Sequence, residues 1–257
     1  RVLRMPGFPA VLAVPRLVFG DRLFPARLWL AVIGTLACWG VWKLGAVLVD
    51  DTIGLIAAGL AAVSPVPVLF SPVELSETTF AAAMLVSLIG AARLMRRHGV
   101  CSFSPQVAEH VQRRSTLPLA AVTGLGVALA TYVRPSWLLV GPLFAAVLVC
   151  LSPHKRLALR DGTVVSLVLL AALLPWGLRN RQATGHFVLT TLWMGPSLYD
   201  GLNPEATGDS NMAFFDRDNL LSQGQSEFEV NDHYRQAAWQ YAFEHPQRAL
   251  ELAVAKF

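Results

Sequence analysis

Charged side chains are scarce in this chain, at 15% of its 257 residues, against about 25% in ordinary soluble domains. With 54% hydrophobic residues and a mean hydropathy of +0.49, that deficit excludes a typical water-soluble domain and points to lipid as the solvent. Cysteine is scarce as well. Cys38 and Cys150 fall in apolar runs and Cys101 in a basic loop, so a disulfide framework is excluded. There is no metal-ligand spacing, no phosphate-cradling glycine loop and no nucleophile elbow. No signal peptide is visible and the chain does not open on Met, so it reads as an internal piece of a longer protein.

What is present is a series of charge-free runs: Leu28 to Trp42, Thr52 to Val73, Thr78 to Ala92, Ser115 to Val133, Pro135 to Pro153 and Gly162 to Leu178. A bilayer-spanning helix needs about 20 mostly apolar residues. The first and third runs are short, and reach that length if Lys43 and Arg93 snorkel to the interface. The fold class expected is therefore an all-α polytopic membrane protein with about six spans in residues 28–178, preceded by a juxtamembrane segment, 1–27, and followed by a loop and amphipathic helices, 179–257.

Basic residues in short loops set the orientation. Arg93, Arg96, Arg97, Arg113 and Arg114 lie between spans three and four, and Lys155, Arg156 and Arg160 between spans five and six. Alternating spans place both loops on one side, the cytoplasmic one; only the acidic turn Asp50-Asp51 gives no support. These loops account for the net charge of +4, so no nucleic acid partner is implied, and topology explains them more simply than headgroup binding does.

Pro6, Pro9, Pro15 and Pro25 keep residues 1–27 from forming one continuous helix, which suits an interfacial or re-entrant segment. Pro65 and Pro67 should kink span two or end it early. The small residues of GLIAAGLAA from Gly54 and GLGVALA from Gly124 read as helix-packing positions. Beyond Leu178, residues 201–225 are rich in Asn, Asp, Gly and Ser and read as an exposed loop. Val230, Tyr234, Ala237 and Tyr241 then recur at helical spacing up to a break at His245-Pro246, predicting an amphipathic helix on the outer membrane surface.

Five polar groups fall on the outer side: Arg4 in RMPGFP, Glu74 and Glu77 in SPVELSET, Arg134 in TYVRPSW, the run Arg179-Asn180-Arg181, and Tyr199 with Asn203. Arginine forks bind phosphate oxygens, and carboxylates bind a divalent metal or accept a proton. Together they suit a phosphate-bearing amphiphile whose tail stays in lipid. Each has a plainer role too. Arg4, Arg134 and Arg179 serve equally as interfacial anchors, Glu77 as an acidic residue at a helix start, His186 as a loop hydrogen-bonder, and Trp137, Trp176 and Trp193 as interface aromatics. His98, His110 and His154 fall on the other face.

At these residues the chain resembles the GT-C glycosyltransferases, in the branch of protein O-mannosyltransferases and lipid A aminoarabinose transferases. The family's R-P-P-G-Y-P-like element appears as Arg4-Met-Pro-Gly-Phe-Pro, its S-P and S-E-T patterns as AAVSPVPVLFSPVELSET, its L-x-R-P segment as Ala121 to Pro135, and its N…G…V…G…Y pattern as Asn180 to Tyr199. The resemblance implies sugar transfer from a polyprenyl-phosphate donor to a lipid, glycan or protein acceptor. It places the reaction on the extracytoplasmic face of a bacterial inner membrane, with inversion at the anomeric carbon. The family's catalytic acid would precede Arg1. Glu77 is then the carboxylate left for catalysis, site shaping or a divalent metal; Arg4, Arg134 and Arg179 would contact the lipid phosphate; and Glu74, Asn180 and Tyr199 would shape the pocket. A secondary transporter or lipid-linked glycan flippase is the alternative, and a non-catalytic scaffold a third reading. Charges at span ends and the lack of an internal repeat favour the enzyme.

Overall fold

The computed structural model describes residues 2–70, 73–100 and 115–255, and every regular element among them is helical. Arg1, Ser71, Cys101, His110, Arg113 and Arg114 lie outside the described residues. The chain divides into two compact units, Met5–Leu174 and Arg1–Arg4 with Pro175–Phe257.

The first unit contains α1 (Gly7–Phe19), α2 (Leu23–Leu48), α3 (Asp51–Val63), α4 (Pro65–Phe70), α5 (Ser76–Arg97), α6 (Leu117–Val133), a 3-10 turn (Pro135–Leu139), α7 (Val140–Leu151) and most of α8 (Lys155–Thr184). Three helices are long and apolar enough to cross a bilayer: α2 with 26 residues, α5 with 22 and α8 with 30. The most apolar window of α2 is only 11% buried. A helix that apolar, with Leu28, Leu36, Trp39 and Leu48 facing outward, matches hydrocarbon rather than water.

Three of the six expected spans thus form helices of spanning length, and they include the two that looked short. Helical hydrogen bonding runs on through Arg27 and Lys43 in α2 and through Arg93 to Arg97 in α5, so charge-free length understates helix length. Lys43 lays its ammonium 3.6 Å from the Trp42 ring centre, keeping the charge against an aromatic face. The runs that looked long contain prolines. Thr52 to Val73 breaks at Ser64 between α3 and α4, before Pro65; α6 stops at 17 residues, before Pro135; and Pro135 to Pro153 is shared between the 3-10 turn and α7.

Small residues set the helix contacts. A β-carbon on Gly45 would lie 2.6 Å from the Gly54 Cα, so α2 and α3 touch backbone to backbone. One on Gly126 would lie 3.0 Å from the Ser87 backbone of α5, and one on Gly124 2.6 Å from the Val165 carbonyl of α8. Gly59, in the same apolar run as Gly54, faces open space.

The loop charges have local uses. Asp50 caps α3 by accepting from the Ile53 amide at 2.8 Å, which explains an acidic turn where basic residues were expected. Arg96 donates to the Val47 carbonyl at 2.9 Å, and Lys155 to the Val149 and Cys150 carbonyls at 2.8 and 2.7 Å, closing the last turns of α2 and α7. Within residues 1–27 the break falls at Gly20, whose φ of 72° ends α1. Pro9 and Pro25 sit in the first turns of α1 and α2, where their missing N–H costs nothing, and Pro15 lies inside α1.

The second unit adds α9 (Met194–Gly201), α10 (Ala213–Asp218), α11 (Glu227–Glu244) and α12 (Pro246–Ala255). Ser226 and Glu229 form a reciprocal capping box at the start of α11. The face of α11 expected on the membrane surface is used differently. Val230 and Tyr234 are buried with Phe214, against Tyr199 and Phe215, and Gly195 of α9 packs on the Asn231 backbone. Aromatic rings on two neighbouring helices, α9 and α10, cover this part of the stripe.

Candidate functional site

Arg134 follows the last turn of α6 and precedes Pro135, which holds it in extended conformation (φ −136°, ψ 115°) and ends the helix there. Its Nη2 donates to Glu77 Oε1 in the first turn of α5. The guanidinium lies 5.3 Å from the ring centre of Phe80, three residues after Glu77 and so on the same side of α5. Phe80 meets Trp137 edge-on at 5.5 Å, and the Trp137 indole N–H donates to Ser87 Oγ at 3.1 Å. Trp137 is therefore held by protein contacts, beyond any role as an interface aromatic.

Glu74 pairs with a residue that sequence reasoning passed over, Arg16 of α1, at 2.9 Å. Each carboxylate spends one oxygen on an arginine. The other oxygens, Glu74 Oε1 and Glu77 Oε2, are buried and have no partner among the described residues, as is the hydroxyl of Thr79. Buried acceptors left unpaired cost about 1–3 kcal/mol each, so these positions favour a ligand that brings donors. A divalent ion asks for several oxygen ligands. Among the described residues no three His, Cys, Asp or Glu side chains gather to hold one, so no metal step is assigned to Glu77.

The second unit holds Arg4, Arg179, Asn180 and Tyr199. Arg4 is exposed. Arg179 stacks its guanidinium 4.9 Å from the Trp176 ring centre, and Trp176 donates its indole N–H to the Thr190 carbonyl at 2.8 Å. Asn180 is fully buried and donates to the Val188 carbonyl at 2.8 Å and the Thr190 carbonyl at 3.3 Å. Asn180 thus shapes its surroundings by holding the backbone at Val188 and Thr190. Tyr199 packs on Phe214 and Tyr234. Burial pushes its phenol up from the ordinary tyrosine range, with the Asp218 charge adding to the effect. Asn203 donates to the Tyr199 carbonyl at 2.7 Å. His186 lies flat on Phe228, with ring centres 3.7 Å apart, and Trp193 leans on Phe215.

A second constellation went unrecognised, because its members are far apart in sequence. Just after α5, His98 Nε2 lies 2.9 Å from Asp161 Oδ2 of α8, and His98 Nδ1 lies 3.3 Å from Ser152 Oγ. Arg160 donates to Asp161 Oδ1 at 2.9 Å and to Thr116 Oγ1 at 2.7 Å. The Ser-His-Asp order resembles a hydrolase relay. With His98, Asp161 and Ser152 exposed by only 3%, 0% and 1%, however, substrate has no access to the hydroxyl.

Compared with known family models, curated proteins and solved structures, the chain matches none. The helices of spanning length define a class, an all-α protein compatible with integration in a membrane. A narrower assignment rests on the site.

Proposed function

We propose that the chain is the membrane portion of a glycosyltransferase that moves a sugar from a polyprenyl-phosphate donor to an acceptor. The observation that carries this reading is the Arg134–Glu77 pair, flanked by Phe80 and Trp137, with one buried carboxylate oxygen still unpaired. In the reaction an acceptor hydroxyl attacks the anomeric carbon from the face opposite the phosphate. The bond from that carbon to the phosphate oxygen breaks, and polyprenyl phosphate leaves with its electron pair. Arg134 stabilises the charge growing on the leaving phosphate. Glu77 holds Arg134 with one oxygen, and its other oxygen takes the proton of the attacking acceptor hydroxyl.

The reading includes six crossings, with α3–α4, α6 and the 3-10 turn–α7 pair completing the three longer helices, and the Glu77 end of α5 facing outward from a bacterial inner membrane. Arg4, Arg179 and Tyr199 belong to the other unit, where they are candidates for binding the same substrate class. Charged groups lie near the ends of α2, α5 and α8 rather than in their middles, which favours the enzyme over a transporter or flippase.

The test is transfer of labelled sugar from polyprenyl phosphate by the full-length protein in lipid nanodiscs. Arg134→Ala and Glu77→Gln should each lower the rate by about 10²–10³, with insertion unchanged. Wild-type rates in both would remove the pair from catalysis.

A further inference from the structure

The end of α8 doubles back on itself. The helix finishes at Thr184, Gly185 turns the chain with a φ of 76°, and the following residues return along the helix they have just left. A β-carbon on Gly177 would lie 2.8 Å from the Phe187 ring and 3.5 Å from Leu189. Gly177 is seven residues before Thr184, so Phe187 reaches back about 10 Å along the helix axis. Yet the ring is 53% exposed.

Two features say what that exposure faces. The first is continuity. Leu167, Leu170, Leu174 and Leu178 recur at helical spacing on α8 and are 46–59% exposed, making one apolar stripe along a helix long enough to cross a bilayer, and Phe187 lies beside its end. The second is the backbone. A loop in water can leave its carbonyls to solvent, whereas irregular backbone near the bilayer edge is favoured where protein groups satisfy part of it. Here Asn180, with no exposure of its own, donates to the carbonyls of Val188 and Thr190, and Trp176 donates to that of Thr190 as well. The Thr184 hydroxyl donates to the Asn180 carbonyl at 2.9 Å and accepts from the His186 amide at 3.3 Å.

We infer that the turn-back from Gly185 to Thr190 is a membrane-anchoring tongue, in which Phe187 sits among lipid acyl chains at the bilayer edge and extends the leucine stripe of α8. The partner is the hydrocarbon of the surrounding lipid. The tongue also fixes Trp176, on which Arg179 stacks, so lipid contact sets the level of that guanidinium. The inference stands apart from the proposed chemistry and holds for a transporter or a scaffold as well.

Spin labels test it in the full chain, reconstituted in nanodiscs with Cys38, Cys101 and Cys150 changed to serine. Nitroxides are placed at Phe187→Cys, at Leu174→Cys as a lipid reference and at Gln182→Cys as an exposed reference on the last turn of α8. Power saturation compares relaxation by oxygen, which concentrates in lipid, with relaxation by a water-soluble nickel chelate. The label at 187 should follow the oxygen-dominated pattern of 174, and the label at 182 the nickel-dominated one. A nickel-dominated label at 187 overturns the tongue, and so does a label shielded from both reagents, which would mean that protein covers Phe187. Asn180→Ala, or Gly177→Leu, whose side chain takes the space of the ring, should turn the 187 label to the aqueous pattern while 174 stays in lipid. An unchanged 187 label in both would overturn the pinning by Asn180 and Gly177.

Discussion

The two ends of α5 carry the same chemistry in opposite states. Past its C-terminus, His98, Asp161 and Ser152 are buried together, with the half-exposed Arg160 closing the outer side, and both carboxylate oxygens and both imidazole nitrogens have partners. About 33 Å away along the helix, Glu77 and Arg134 form a pair that is 44% and 39% exposed, with one carboxylate oxygen unpaired. A closed network has no valence left for a ligand and serves to fasten helices. An open pair next to aromatic rings keeps that valence. Having a carboxylate beside a guanidinium does not separate the two cases; the unspent oxygen does.

The largest blow to this contrast is Asp161→Ala. It leaves His98 and Arg160 without their carboxylate in a site that solvent barely reaches, and should cost about 3–5 kcal/mol, read from thermal unfolding in nanodiscs. A loss below about 1 kcal/mol would erase the distinction between fastening and site. Gly126→Val attacks the middle of the same helix pair by driving a branched side chain into the Ser87 backbone, and should cost about 1–3 kcal/mol by the same measurement.

Ser226→Ala acts on the other unit, removing one arm of the capping box of α11 at a cost of about 1 kcal/mol, and should leave the α5 fastening untouched. The same box gives a pH signature. Hydrogen bonds from the Ser226 backbone and hydroxyl hold the Glu229 carboxyl below the ordinary glutamate range. A carboxyl depressed in the folded state stabilises above its unfolded pKa, and the contribution is lost as pH falls through the folded one. The protection factor for amide exchange in the first turn of α11, taken relative to the intrinsic rate at each pH, should therefore hold at neutral pH and fall only below the usual glutamate range. The smallest effect on stability belongs to Glu77→Gln, within about 1 kcal/mol because the pair is half exposed. The proposed transfer reaction should nonetheless fail in that variant.

Much of the helical architecture is legible in composition and proline placement, because lipid as a solvent leaves so few charges. Lengths are less legible. Arg93 to Arg97 ended a span by charge but not by hydrogen bonding, and Pro65 broke a run that charge had left whole. Asn180 and Tyr199 stood out as polar residues in an outward loop, yet their side chains turn inward to backbone carbonyls and to aromatic rings. Arg16 offered no signal, since only the meeting of α1 with the segment before α5 brings it to Glu74. Glu77 and Arg134 were legible as types. Their pairing needed the α5–α6 contact.

The locked Asp161 also has a consequence for the membrane itself. Between Asp161 and Arg179, α8 offers uncharged chain from Gly162 to Leu178, about 26 Å long, a few ångströms short of the usual hydrocarbon core of about 30 Å. A surface lysine would stretch that reach by snorkelling, but a carboxylate tied to His98 and Arg160 cannot move. Because its partners are protein groups rather than water, this charge can lie at hydrocarbon depth, and the 30 residues of α8 can then meet a bilayer of ordinary thickness.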